Sequence, residues 1–239
     1  MEIVGSGSYG NVYVCEDNPH LVIKKIRTEK ASFLELAGLD EFSWGHQFVV
    51  HVENVYEDKD NLKIVMRRYP FDVHKYILQT KCCLSLTDTL RLEYQIGSAL
   101  EYMHSYRILH GDVKPDNIMM DNEKNFYLTD FSLSKSIGED KVIGRNQLYT
   151  GLYRPPVLFY NDCVPDGHMV KPGYDFFALF MTLLYVRFKF LIAKSRDSDY
   201  TIVRQYCHFK THRFPKLMKN EFRDSVYRDV YFKVFDMCF

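Results

Sequence analysis

The sequence predicts an α+β fold in two lobes, a small β-rich one followed by a larger helical one, with a cleft between them. Three observations carry this expectation. The first third of the chain consists of short apolar or β-branched runs separated by Gly, Asn and Pro. After Pro70 the apolar spacing turns helical, and Leu92, Ile96, Ala99, Leu100 and Met103 fall on one stripe. A length of 239 residues suits one large domain or two modest lobes around a cleft. The expected division is 1–66 for the β-rich lobe, 67–70 for the connector and 71–239 for the helical lobe.

Taken in order, Ile3-Val4, Val12-Tyr13-Val14 and Leu21-Val22-Ile23 read as the opening strands. A helix is expected near Ala31 to Leu39, with Phe33, Leu34 and Leu36 facing a core. Strands follow at Val49–Val55 and Leu62–Met66, joined by the polar turn Glu57-Asp58-Lys59-Asp60-Asn61. The striped helix leads into the loop His110–Asn117 and a short strand at Phe126–Thr129, and the rest reads as mostly helix. The most apolar segment, Phe176 to Ala193, carries Thr182, Arg187 and Lys189, which fits a buried central helix better than a membrane span.

Hydrophobic residues make up 46% of the chain and charged residues 26%, a globular composition rather than a disordered one. The 31 basic residues balance 31 acidic ones, which argues against a general nucleic-acid binder. The basic run from Arg204 to Lys219 reads as a solvated face. Six cysteines lack paired C-x-x-C spacing, so neither a zinc site nor a disulfide framework is indicated, and reduced thiols fit an intracellular protein. Met1-Glu2 leads almost directly into a glycine-rich loop, with no apolar signal segment. The expected setting is cytoplasmic or nuclear, with no membrane association.

The chemistry concentrates in two stretches. His110-Gly111-Asp112-Val113-Lys114-Pro115-Asp116-Asn117 supplies a candidate base (Asp112), a cation two residues on (Lys114) and a metal-capable side chain (Asn117); Asp130-Phe131-Ser132 adds a second metal-capable group in Asp130. Phosphoryl transfer from a nucleotide needs little else, since the protein's task there is positioning and charge neutralisation. Upstream, Gly5-Ser6-Gly7-Ser8-Tyr9-Gly10-Asn11-Val12 can bring backbone amides close to phosphate oxygens.

Asn117 lies five positions after Asp112 and Asp130 thirteen after that, spacings that resemble the catalytic loop and metal-binding triplet of the eukaryotic protein kinase family. The glycine loop followed by Val12 fits the kinase version, and Leu21-Val22-Ile23-Lys24 resembles the family's V-A-I-K strand. The resemblance implies that Lys24 holds the α- and β-phosphates of ATP and is oriented by a helix glutamate. Glu35 suits that role, with Glu41 as the alternative. Lys25 alternates to the opposite face. Met66 resembles a gatekeeper, and backbone groups around Arg67–Tyr69 are implied to meet the adenine edge. Val4, Gly5, Ser6, Gly7, Ser8, Tyr9, Gly10, Val12, Val22 and Met119 complete the implied nucleotide contacts.

By the same resemblance Asp112 orients the substrate hydroxyl, Lys114 neutralises the γ-phosphoryl group, and Asn117 and Asp130 hold Mg2+. A lysine two residues after the aspartate is the serine/threonine pattern. Thr150-Gly151-Leu152-Tyr153-Arg154-Pro155-Pro156-Val157 resembles the end of an activation segment, with Thr150 beside Asp112, and leans towards the cyclin-dependent and mitogen-activated group. Asp175-Phe176-Phe177-Ala178-Leu179 resembles the D-x-W-S-L opening of the central helix, whose aspartate bonds the catalytic-loop backbone. The implied partners are ATP, a protein substrate and a regulatory protein.

Four letters depart from the family. Gly111 stands where an arginine usually pairs with a phosphorylated activation loop, which implies activity that does not await that phosphorylation. Ser132 replaces a flexible glycine, Val22 an alanine above the adenine, and Val157 a glutamate that pairs with a later arginine. With the short ends at Met1 and Phe239, these imply a minimal, divergent kinase, a virus being one candidate source. Two other readings stand beside the serine/threonine kinase: a kinase-shaped binding module without chemistry, and a small-molecule kinase, against which Thr150 with Tyr153-Arg154 speaks.

Overall fold

The computed structural model describes residues 2–7, 10–36, 39–138, 148–159, 171–189 and 199–237. Ser8, Tyr9, Cys163 and Cys238 lie outside them, as do the side chains of Ser6 and Phe33. The chain opens with β1 (Ile3–Gly7), β2 (Gly10–Val14), β3 (Leu21–Arg27), β4 (Val52–Asp58) and β5 (Asn61–Arg67), which form one antiparallel sheet in the order β1-β2-β3-β5-β4. Cβ alternation puts Val22, Lys24 and Ile26 of β3 on one face, opposite Met66, Ile64 and Leu62 of β5. Lys25, on the other face, is exposed. At Gly10 any Cβ would collide with the Lys25 carbonyl and with Ile26, so glycine is what lets β2 lie this close to β3.

Two sequence expectations need correction. The first concerns the helix over 31–39, which is instead a single turn, α1 (Phe33–Leu36), followed by α2 (Leu39–Trp44). Ser32 starts it as an N-cap, and Leu36 is 50% exposed while Leu34 is buried, because neighbouring residues on one turn point about 100° apart. The second concerns β4, which begins at Val52 rather than Val49. The Val50 N–H donates to Leu128 O (2.9 Å) and the Leu128 N–H to Phe48 O (2.8 Å), so Phe48 and Val50 bond β9 (Phe126–Leu128) rather than β5, and the Val49 N–H goes to His46 O.

The remainder is mainly helical. Asp72 caps α3 (Val73–Thr80) by accepting from the Lys75 N–H, and Ser85 caps α4 (Leu86–Ser105) by accepting from the Asp88 N–H. The expected stripe of α4 is fully buried. β6 (Phe71–Asp72), β8 (Ile118–Met120) and β9 form a small antiparallel sheet, and β7 (Ile108–Leu109) pairs with β10 (Lys135–Ser136). Helix α5 (Gly173–Phe188) is largely apolar and buried nearly all round, so it sits in the core. Its Phe180 ring meets those of Phe214, Phe222, Tyr231 and Phe235, which bring in α7 (Phe214–Asn220), the turn after it and α8 (Arg228–Met237). Arg204, on α6 (Asp199–His212), is exposed, as are Arg213, Lys216 and Lys219. No described helix is long and apolar enough to cross a membrane.

Candidate active site

A cavity of about 540 Å³ opens between the five-stranded sheet and the helical part. Val4, Gly5, Gly10, Val12, Val22, Lys24, Met66, Arg67, Tyr69 and Met119 line it, together with Glu35, Asn117 and Asp130. Ser6 and Gly7 continue β1, paired with Asn11 and Gly10.

On the sheet side, the Lys24 Nζ donates to Glu35 Oε1 (2.9 Å), Asp130 Oδ1 (2.7 Å) and the Ser132 hydroxyl (2.6 Å). An ammonium has three protons, and all three are taken. Glu35 is held in turn by a capping box: its Oε2 accepts the Ser32 N–H (2.9 Å) while its own N–H donates to Ser32 Oγ (3.2 Å). The alternative, Glu41, is exposed on α2. A step of eleven positions from Lys24 to Glu35 suffices because the helix needs only this one capped turn to present the carboxylate.

On the helical side, α5 anchors the loop that carries the base candidate. Asp175 Oδ2 accepts the His110 N–H (2.9 Å) and contacts His104 Nε2 (2.9 Å); its Oδ1 accepts the Gly111 N–H (3.0 Å) and the Tyr149 hydroxyl (3.0 Å). His110, fully buried, uses Nδ1 for the Asp112 N–H and Nε2 for Thr129 O. A 3-10 turn at Pro115–Asn117 then folds Asn117 back, so that its Nδ2 donates to Asp112 O (2.9 Å) and Oδ2 (3.0 Å). Lys114 donates to the same Oδ2 (2.6 Å), and Thr150 gives its N–H (2.9 Å) and hydroxyl (2.7 Å) to Oδ1. Lys114 also reaches Thr150 Oγ1 at 2.8 Å. Asp112, Lys114, Asn117 and Thr150 thus form one bonded cluster. The Thr129 N–H donates to Asn117 O (3.1 Å), which seats Asp130 beside it in a left-handed conformation at φ 63°.

The model of the protein kinase domain matches residues 1–231. This chain belongs to the protein kinase domain family. Among curated proteins it is 28% identical over 171 residues to cyclin-dependent kinase 1 of Encephalitozoon cuniculi, covering 66% of this chain and 57% of the relative. It is 28% identical over 176 residues to cyclin-dependent kinase D-1 of Arabidopsis thaliana, covering 70% and 44%. It is 28% identical over 214 residues to cyclin-dependent kinase 7 of Carassius auratus, covering 83% and 59%. The match thus spans about half the length of these relatives.

As a protein kinase domain, the chain keeps its electrostatics consistent across the cleft. Burial pulls the Asp130 carboxyl upward, but the Lys24 charge, with hydrogen bonds from Lys24 and Ser132, outweighs it and holds the group well below the usual carboxylate range. Burial depresses the Lys24 ammonium, and the charges of Asp130 and Glu35 more than restore it, leaving its pKa raised. Asp175 is depressed as well: burial opposes ionisation, and the bond from His104 followed by its charge prevails.

The departures from the family pattern fit this kinase domain locally. Gly111 has φ +80°, and a Cβ there would lie 2.7 Å from Leu133 O and 2.8 Å from Leu148 Cδ2. Val157 is half-buried against the core, an apolar side chain in an apolar place. Three participants escaped the sequence reading. Ser32-Phe33-Leu34-Glu35 carries a legible S-x-x-E capping signature. Asp72 caps α3 and lines the cavity, a double role that its helix-start position hints at. Ser132 stood out in sequence only as a departure from the family's glycine, and its bonds to Lys24 and Glu35, about a hundred residues away, were not legible there.

Proposed function

We propose that this chain is a serine/threonine protein kinase that transfers the γ-phosphoryl group of ATP to a protein hydroxyl. The observation that carries the reading is the cluster around Asp112, where Lys114, Asn117 and Thr150 converge on one carboxylate beside the cleft that holds Lys24 and Asp130. That is the charge arrangement in-line transfer needs: a carboxylate for the acceptor hydroxyl and a lysine for the group in flight.

The donor set suits Mg2+. Asn117 uses its amide nitrogen on Asp112, and Asp130 uses Oδ1 on Lys24 and Ser132. This leaves Asn117 Oδ1 and Asp130 Oδ2 without hydrogen bonds among the described residues, two hard oxygen donors of the kind Mg2+ takes alongside phosphate oxygens and water. When bound, Mg2+ neutralises charge on the phosphates.

The chain's own groups do the rest. The Arg67 and Arg68 N–H groups are spent on His51 O and His20 O, so the Tyr69 N–H is the hinge donor left for an adenine edge. Lys24 turns from Asp130 to the α- and β-phosphates while Glu35 keeps it in place. Asp112 Oδ1 exchanges the Thr150 hydroxyl for that of the substrate and takes up its proton as the bond to phosphorus forms. Lys114, bonded to both Asp112 and Thr150, bridges acceptor and phosphoryl group.

The relatives are named for dependence on cyclins. A regulatory protein partner for this chain belongs to the same reading, although Ser32 already holds Glu35 against Lys24 in the isolated chain. A cytoplasmic or nuclear setting belongs to the same reading. The reading is tested by incubating purified protein with radiolabelled ATP, Mg2+ and generic acceptor proteins, then hydrolysing the products to phosphoamino acids. Phosphoserine and phosphothreonine are expected; phosphotyrosine alone, or no labelled protein, contradicts it.

A further inference from the structure

We infer that Ser132 is a positioning residue for the metal-binding carboxylate, and that its hydroxyl takes over a task that a glycine at this position leaves undone. The inference rests on the kinase reading of the cleft and deepens it. Ser132 is buried, with 8% of its surface exposed, and its Oγ lies 2.6 Å from Lys24 Nζ, 2.7 Å from Asp130 Oδ1 and 3.3 Å from Glu35 Oε1. A hydroxyl has one proton to give and lone pairs to accept. Lys24, a donor only, must be the donor to Ser132, and the single Ser132 proton then goes to the nearer carboxylate oxygen, Asp130 Oδ1.

Two consequences follow from that direction of bonding. Asp130 Oδ1 is fixed by two donors, so the carboxylate is locked in rotation and its other oxygen is the one presented for a cation. Asp130 itself sits at φ 63°, a backbone conformation that a non-glycine residue holds only when its surroundings determine it. The Ser132 hydroxyl, two residues on, is one of those surroundings. The same hydroxyl also holds Lys24, so when Lys24 turns to phosphate and releases Asp130, Ser132 keeps Asp130 from swinging free. Carboxylates that ligate metals are in general held by an outer hydrogen-bond partner, and loss of that partner weakens metal binding without removing a ligand.

The experiment titrates Mn2+ into protein saturated with ADP, free Mn2+ being read by electron paramagnetic resonance, and measures ADP affinity separately in EDTA. The variants are Ser132→Ala, Ser132→Gly and Ser132→Thr, each checked for a wild-type melting transition. Ser132→Ala and Ser132→Gly are expected to bind Mn2+ about 10- to 100-fold more weakly, with ADP affinity in EDTA undiminished, and Ser132→Thr to restore tight binding. Unchanged Mn2+ affinity in Ser132→Ala, or an equal loss of ADP binding with and without metal, overturns the inference while leaving the kinase reading intact. Wild-type protein that binds neither ADP nor Mn2+ overturns both.

Discussion

Glu35 divides its carboxylate between two partners: Oε2 accepts the Ser32 N–H at 2.9 Å, and Oε1 accepts Lys24 Nζ at 2.9 Å. A helix cap and a cleft ion pair therefore share one side chain. The helix around Glu35 is a single turn and has no length to stabilise it, so the cap is what keeps the carboxylate in place. Ser32→Ala is expected to lower stability by about 1 kcal/mol in urea unfolding. It should also weaken metal-free ADP binding, because Lys24 loses part of its support. Unchanged ADP affinity would show that Glu35 does not depend on its cap.

At Gly111 a backbone requirement explains a departure. At φ +80° an L side chain is strained by about 1–2 kcal/mol, before the contact with Leu133 O is counted. Gly111→Ala and Gly111→Arg should both lower the melting temperature. Gly111→Arg should not acquire activation by phosphorylation of the 139–150 segment. A Gly111→Arg protein with wild-type stability would contradict this.

Much of the architecture was legible. The stripe of α4 and the alternation that separates Lys24 from Lys25 are periodicity signals that match their elements, and the apolar run from Phe176 marks the buried α5 as far as Phe188, residues 190–193 lying outside the described ones. The clustering of Asp112, Lys114 and Asn117 was legible too, because one short loop carries all three. What periodicity could not show was competition for main-chain hydrogen bonds. Val49 and Val50 read as β4, yet the Val50 N–H and Phe48 O bond Leu128 of β9 and the Val49 N–H bonds His46 O. Leu36 read as core, yet a one-turn helix buries Leu34 and Glu35 and turns Leu36 to solvent. Ser132 was legible only as a departure from the family's glycine, since the use of its hydroxyl depends on Lys24 and Glu35, which the fold brings to it.

Asp175 should act as the keystone of the catalytic loop. Its two oxygens meet the buried His110, Gly111 and Tyr149 and the half-buried His104. Asp175→Asn turns an amide towards two of those donors, at about 1–3 kcal/mol for each group left unpaired. Because the folded pKa is depressed, the stabilisation Asp175 provides is present above its unfolded pKa near 3.8 and is lost as pH falls through the folded value. The variant should therefore show a flatter loss of stability in acid, read by circular dichroism against pH.

Glu93 carries the opposite sign. It is buried in α4, accepts from the Ser225 hydroxyl at 2.6 Å, and burial raises its pKa above the ordinary value near 4.5. Stability from its protonated form is complete below pH 4.5 and declines as pH rises through the raised folded value. Glu93→Gln keeps an acceptor for Ser225 and never ionises. It should be more stable than wild type at neutral pH, and the difference should shrink as pH falls to 4. A variant less stable at both pH values would show that the carboxylate is paired.

The central claim is that Asp112 and Asp130 perform phosphoryl transfer in this cleft. The most direct measurement is the rate of γ-phosphoryl transfer from radiolabelled ATP to an acceptor protein by wild type, Asp112→Asn and Asp130→Asn at equal concentration. Asp112→Asn should lose about 10²- to 10⁴-fold in rate while still binding ADP with Mn2+, since only the group that receives the hydroxyl proton is altered. Asp130→Asn should lose metal-dependent nucleotide binding along with transfer. Transfer that continues at the wild-type rate in either variant would contradict the account.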